Sequence, residues 1–137
     1  MAESIFRHKV QQAGLGDSFV IESAGTGNWH VGDNPDSRTI AVLRQNGISH
    51  YSRARQVKPS DFRDFDHIIA MDMANARDLH NWSQAQPDKV SLMSSWNPKS
   101  TRIEVPDPYY GDEGDFAQVF TMLDEATECL LTKLRIS

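Results

Sequence analysis

Apolar positions recur at two spacings along this chain, and their alternation sets the expected architecture. Over residues 2–13, Ala2, Ile5, Phe6, Val10 and Ala13 fall at helical spacing, and Gly14 supplies a stop. No capping residue or strand precedes this helix in the sequence, so its first amides are expected to face whatever stands upstream. Phe19-Val20-Ile21 reads as a short buried strand, ended by the turn residues Ser23-Ala24-Gly25-Thr26-Gly27. Asn34 is expected to cap a second helix with Pro35 at its first position, Ile40 and Leu43 on its inner face and Gly47 closing it.

His67-Ile68-Ile69-Ala70-Met71 reads as a second strand, and Asp72 is placed to cap a third helix that runs to about Trp82. Val90-Ser91-Leu92-Met93 is a third strand of weaker pattern. A long loop through Pro98 to Pro108 leads into a last helix from about Asp115, with Phe116, Val119, Phe120, Leu123, Leu130, Leu131 and Leu134 along one stripe. Strands alternating with helices predict an α/β fold, a three-layer sandwich with a short parallel sheet flanked by helices. A right-handed crossover needs a strand before each helix, yet three strands serve four helices. One strand, ahead of the first helix, is expected to be missing from this chain.

Length and composition narrow the function. At 137 residues and 39% hydrophobic content the chain is read as a single domain, 1–137. A net charge of -5 and a pI near 5.4 exclude nucleic acid and anionic membrane as expected partners, since both need a basic surface. The apolar runs are a few residues long, against roughly 20 needed to span a bilayer. One cysteine and no charged-then-apolar leader point to a cytoplasmic location.

No metal or other cofactor is expected. His8, His30, His50, His67 and His80 have no partner at i+3 or i+4 and no cysteine neighbour. Gly25-Thr26-Gly27 is too short for a dinucleotide fingerprint.

Asp107-Pro108-Tyr109-Tyr110-Gly111 carries the candidate chemistry. Asp and Pro are ordinary turn residues, and a plain turn is the default reading. A functional reading rests on the combination of a carboxyl able to protonate a leaving oxygen with two rings able to flank an aryl group. Pro108 restricts Asp107 to extended backbone, which steadies that carboxyl. Cys129 and Arg135 have the five-residue separation of a thiol phosphatase signature, but the residues between them contain no glycine and belong to the last helix. Six helical residues advance about 9 Å and turn roughly 240° past a full circle, so the two side chains diverge. A phosphate cradle needs free amides converging on one point.

Ser23-Ala24-Gly25-Thr26, the loop bearing Trp29, Ala54-Arg55-Gln56, Ala70-Met71-Asp72 and Asp107-Pro108-Tyr109-Tyr110-Gly111 occur in one order. Together they resemble the low-molecular-weight protein tyrosine phosphatases over essentially the whole chain. The resemblance implies that Asp107 is the general acid, that Tyr109 and Tyr110 are acid-loop tyrosines, that Trp29 is on the pocket wall, and that Ser23 supports a phosphate loop. Ser52 stands where eukaryotic members have a histidine, which implies a bacterial-type member. Complete members begin with a central strand and a loop of Cys, five residues and Arg, often followed by Met-Ala-Glu. Met1-Ala2-Glu3 matches the residues after that loop, so the resemblance places the first strand, nucleophile and phosphate-binding arginine outside this sequence.

The expected function is therefore that of a family hydrolysing phosphotyrosine in proteins through a cysteinyl-phosphate, with phosphotyrosine proteins or aryl phosphates as partners. The chain as given is expected to be inactive, because a phosphoryl transfer of this kind needs its thiolate and guanidinium. Alternatives are a non-catalytic pseudophosphatase or interaction module, and a protein arginine phosphatase if the loop exists elsewhere. Loss of a central strand predicts a destabilised chain, or one that self-associates through the unfilled slot in its sheet.

Overall fold

The computed structural model describes residues 1–137 apart from 28–30, 83–86, 110 and 137. The first helix, α1 (Ala2–Gln12), buries Ile5, Phe6 and Val10, and Gly14 follows it at φ +73°. α2 (Ser37–Gln45) is capped by Asp36 rather than by the expected Asn34. Asp36 is extended, at φ -50° and ψ 139°, and its Oδ1 accepts the Arg38 amide at 2.8 Å. Its carboxylate also takes the Arg38 side chain, a double use that a neutral Asn34 amide could not match. Pro35 thus lies outside the helix.

One helical turn, α3 (Asp61–Asp64), precedes strand β1 (Ile68–Ala70). Asp72 starts α4 (Met73–Trp82) as expected, with its Oδ1 accepting the Asn75 amide at 2.7 Å. β2 (Val90–Leu92) pairs in parallel with β1, placing Ile68 opposite Val90 and Ala70 opposite Leu92. α5 (Glu113–Ile136) starts two residues before the expected Asp115. There the Asp112 amide donates to Asp115 Oδ2 at 3.0 Å and the Asp115 amide to Asp112 Oδ1 at 3.1 Å, a reciprocal cap that satisfies two otherwise open donors.

Helices cover both faces of the pair. On one side Ile5 of α1, Leu43 of α2 and Val119 and Leu123 of α5 share a core, and Phe6 and Val10 continue it against Leu130 and Leu131. On the other side Phe62, Ala76 and Leu79 pack on Ala70 and Val90. Lys9 of α1 ties itself to α5 through Asp124 at 2.9 Å and Glu128 at 3.0 Å. No helix among the described residues is long and apolar enough to cross a membrane.

Residues 19–21 do not form the buried strand that their pattern predicts. Phe19 is extended, but Val20 is 81% exposed, and among the described residues the backbone that follows pairs with another stretch only where Gly25 bridges Gln56 in parallel. A strand is stabilised by its ladder, and among the described residues 19–24 make no backbone–backbone hydrogen bond. Side chains of α1 hold them instead. The Phe19 ring stands edge-on to Phe6 at 5.8 Å, Arg7 Nη2 donates to the Ile21 carbonyl at 2.6 Å, and Ser23 Oγ donates to Glu3 at 2.7 Å. Between this segment and β1 lies an open cleft of about 1190 Å³.

Candidate active site

The Asp107 loop is fixed just beyond the carboxyl end of β1, the usual ligand position in a parallel sheet. The Val105 amide donates to the Met71 carbonyl at 2.8 Å, which brings the loop across the strand end. Asp107 Oδ1 then accepts the Tyr109 amide at 3.0 Å, and the Gly111 amide closes a turn on the Pro108 carbonyl at 2.8 Å. The turn reading of the sequence therefore holds locally. Asp107 and Tyr109 nevertheless line the cleft together with Asp72 and Ser23.

Arg38 holds the loop from the side. Its Nη1 and Nη2 donate to the carbonyls of Gly111 and Tyr109, each at 2.7 Å. The guanidinium lies 4.4 Å from the centre of the Phe116 ring, a cation–π contact with α5. Asp36 fixes its orientation through Nε at 3.0 Å and Nη2 at 2.9 Å. These hydrogen bonds hold the Asp36 carboxyl below its ordinary pKa and raise that of Arg38.

A second polar group closes the base of the cleft around Glu3, which is only 8% exposed. Its Oε1 accepts from Ser23, and its Oε2 accepts from Ser52 at 2.6 Å and Arg7 at 3.0 Å. Burial alone would raise its pKa, but the two serine hydrogen bonds and the Arg7 charge outweigh that and lower it. Nearby, Arg55 grips Asp61 with Nη1 at 2.9 Å and Nη2 at 3.2 Å. Burial pushes the Asp61 pKa up, and this clamp with the Lys58 amide brings it below the usual carboxylate value.

Asp107, Tyr109 and Ser23 thus meet at one cleft, and Trp29 and Tyr110 lie outside the described residues. Ser23 is engaged by Glu3. Cys129 sits within α5 with its Sγ 3.9 Å from Asn97 Oδ1, and Arg135 is exposed six residues further along the same helix. Their spacing is a coincidence of sequence. Among the described residues no group of histidine, cysteine or acidic side chains could hold a metal ion.

Sequence reasoning passed over Arg38 and Glu3. Asp36-Ser37-Arg38 offered a local signal for the first, an acid and a base two residues apart at a helix start. For Glu3 the local signal was the acid–base pair with Arg7 four residues on, but its serine partners are 20 and 49 residues away.

A short parallel sheet between helical layers, with an acidic loop across the end of one strand, defines an α/β protein with its site at the strand ends. The family described as low molecular weight phosphotyrosine protein phosphatase matches residues 1–137. The chain belongs to that family. It is 40% identical to the low molecular weight phosphotyrosine protein phosphatase of Schizosaccharomyces pombe over 136 residues, which are 98% of this chain and 87% of that relative. A crystal structure of a protein tyrosine phosphatase from Entamoeba histolytica superposes with a TM-score of 0.94 at 36% identity, over 98% of this chain and 86% of the other. The Drosophila arginine phosphatase DARP superposes at 0.90 with 30% identity, over 97% and 87% respectively.

Proposed function

We propose that this chain carries the general-acid side of a protein-tyrosine phosphatase site, and that by itself it does not turn over phosphotyrosine. The observation that carries this reading is the Asp107 loop, pinned by Arg38 and opening on the cleft at the end of β1. An exposed carboxyl there can donate a proton to a departing phenolate and afterwards accept one from attacking water. Tyr109, half exposed beside it, offers a ring to an aryl group. The covalent step needs a thiolate in a nest of amides. The one cysteine of the chain is instead committed to a helix whose amides serve its own hydrogen bonds.

The test is turnover of p-nitrophenyl phosphate and of a phosphotyrosine peptide by the purified chain. No release of phosphate above buffer is expected, with or without Cys129→Ser. Turnover that Asp107→Asn abolishes would overturn the inactive reading and leave the acid assignment standing. Binding of the phosphotyrosine peptide without turnover would favour a non-catalytic recognition module.

A second reading, a site for phosphoarginine if a phosphate loop completes it, is favoured by the likeness to the Drosophila arginine phosphatase. Competition between phosphoarginine and phosphotyrosine peptides for the chain discriminates the two.

A further inference from the structure

Two histidines meet where α1 faces the segment that follows α2, and neither lines the cleft. The His8 ring on α1 lies 6.5 Å from the His50 ring, centre to centre, with 34° between their planes. His50 is half buried, and its Nε2 is fully covered with no hydrogen-bond partner among the described residues. The charged and titratable groups that face it are Arg7, His8 and Glu3, all on α1. Two residues further on, Ser52 Oγ donates to Glu3 Oε2 at 2.6 Å. One short segment thus carries both the covered imidazole and a hydroxyl that braces the base of the cleft.

Such a ring is accommodated in one charge state only. A neutral imidazole can leave Nε2 as a bare acceptor, whereas protonation makes it a charged N–H donor with nothing to donate to, beside the Arg7 guanidinium. Glu3 does not make up for this, because its two oxygens already accept from Ser23, Ser52 and Arg7. Burial, Arg7 and His8 accordingly hold the His50 pKa below the 6.5 of an ordinary histidine, against the opposing pull of Glu3. A metal ion suits the pair poorly, since the Arg7 charge repels it and among the described residues no third ligand joins the two rings.

We propose that the His8–His50 contact is an acid-opened latch, in which neutral His50 keeps residues 49–52 against α1 and its protonation releases them, taking Ser52 away from Glu3. With the folded pKa below 6.5, the latch contributes in full above that value and fades as pH falls through the folded pKa. Glu3 itself titrates below 4.5, so the two acid effects fall in separate windows. The latch rests on the contact between α1 and this segment and not on the phosphatase reading, so the turnover assay leaves it untouched.

The experiment follows amide exchange of the full chain, read as protection factors, at about pH 7.5 and about pH 5.5. The reporter is Ala54, whose amide donates to the Asp33 carbonyl at 2.8 Å just past the segment. Its protection is expected to fall by about three- to tenfold at the lower pH, since one proton taken up on opening changes the equilibrium by at most about tenfold per pH unit below 6.5. Amides of β1 and β2 keep their protection, and His50→Phe, which keeps a ring but takes up no proton, holds Ala54 level. A second measurement needs no variant at position 50: by NMR the His50 imidazole titrates below 6.5, and its midpoint rises toward that value in His8→Ala. Constant protection at Ala54, an equal fall in His50→Phe, or a His50 midpoint at or above 6.5 would each overturn the latch.

Discussion

Arg38 and Gly111, 73 residues apart, are joined by a 2.7 Å hydrogen bond that ties the first turn of α2 to the end of the Asp107 loop. The same guanidinium donates to the Tyr109 carbonyl and rests on Phe116, so one side chain joins loop, helix and core. Removing it with Arg38→Ala should free the loop without unfolding the chain. Amide exchange at Tyr109 and Gly111 is expected to accelerate about tenfold or more, while amides in β1 and β2 keep their rates. Unchanged exchange at Gly111 would show that the loop's own turn suffices. Arg38→Lys should resemble the alanine variant, because one ammonium cannot reproduce the fork that serves Asp36 and two carbonyls.

Gly111 packs its α-carbon against the Asp115 carboxylate so closely that any Cβ would collide with it. Gly111→Ala should therefore displace Asp115 and open the reciprocal cap with Asp112, at a cost of about 0.5–2 kcal/mol in urea unfolding. Adding Asp115→Ala removes the atom that is struck. The double variant should then be less destabilised than the sum of the two singles, by a coupling of about 0.5 kcal/mol or more. Strict additivity would place the cause elsewhere.

Glu3 makes stability depend on acid. Its folded pKa lies below the 4.5 of an ordinary glutamate, so its contribution is present in full above that value and fades as pH falls through the folded pKa. Glu3→Gln should lose about 1–3 kcal/mol at pH 7, because the Arg7, Ser23 and Ser52 donors keep only a neutral partner. Below pH 4 the gap between the two proteins should narrow. Parallel stability curves from pH 7 to pH 3 would mean that folding leaves the Glu3 pKa where it is in the unfolded chain.

Leu43 is 1% exposed within the core shared by α1, α2 and α5. Leu43→Ala should cost about 2–5 kcal/mol by chemical denaturation, the range for a large buried side chain replaced in a packed core. Since α2 carries Arg38, the same variant should also loosen the Asp107 loop, and exchange at Gly111 reports that second effect.

Elements that carry their own signals were legible in the sequence. α4 begins where Asp72 can cap it, and α5 follows its stripe of Phe116, Val119 and Leu123. Residues 19–21 were misread as buried, because their apolar pattern is that of a strand while burial depends on a neighbour along the sheet. The shift of the α2 cap from Asn34 to Asp36 depended on Arg38, whose side chain binds the Asp36 carboxylate. At the site, Asp107, Tyr109 and Ser23 were recognisable from residue order. The Arg38 contacts with the loop and the serine contacts of Glu3 span 20 to 73 residues, which spacing along the chain does not encode.

Lys9 sets a timetable for synthesis. Its partner Glu128 follows 119 residues later, an interval of about 6 to 24 s at ribosomal speeds of about 5–20 residues per second. During that time Phe6 and Val10 have no leucines of α5 to cover them. The first helix thus waits for the last, and the nascent chain spends that interval with an uncovered apolar face open to chaperones.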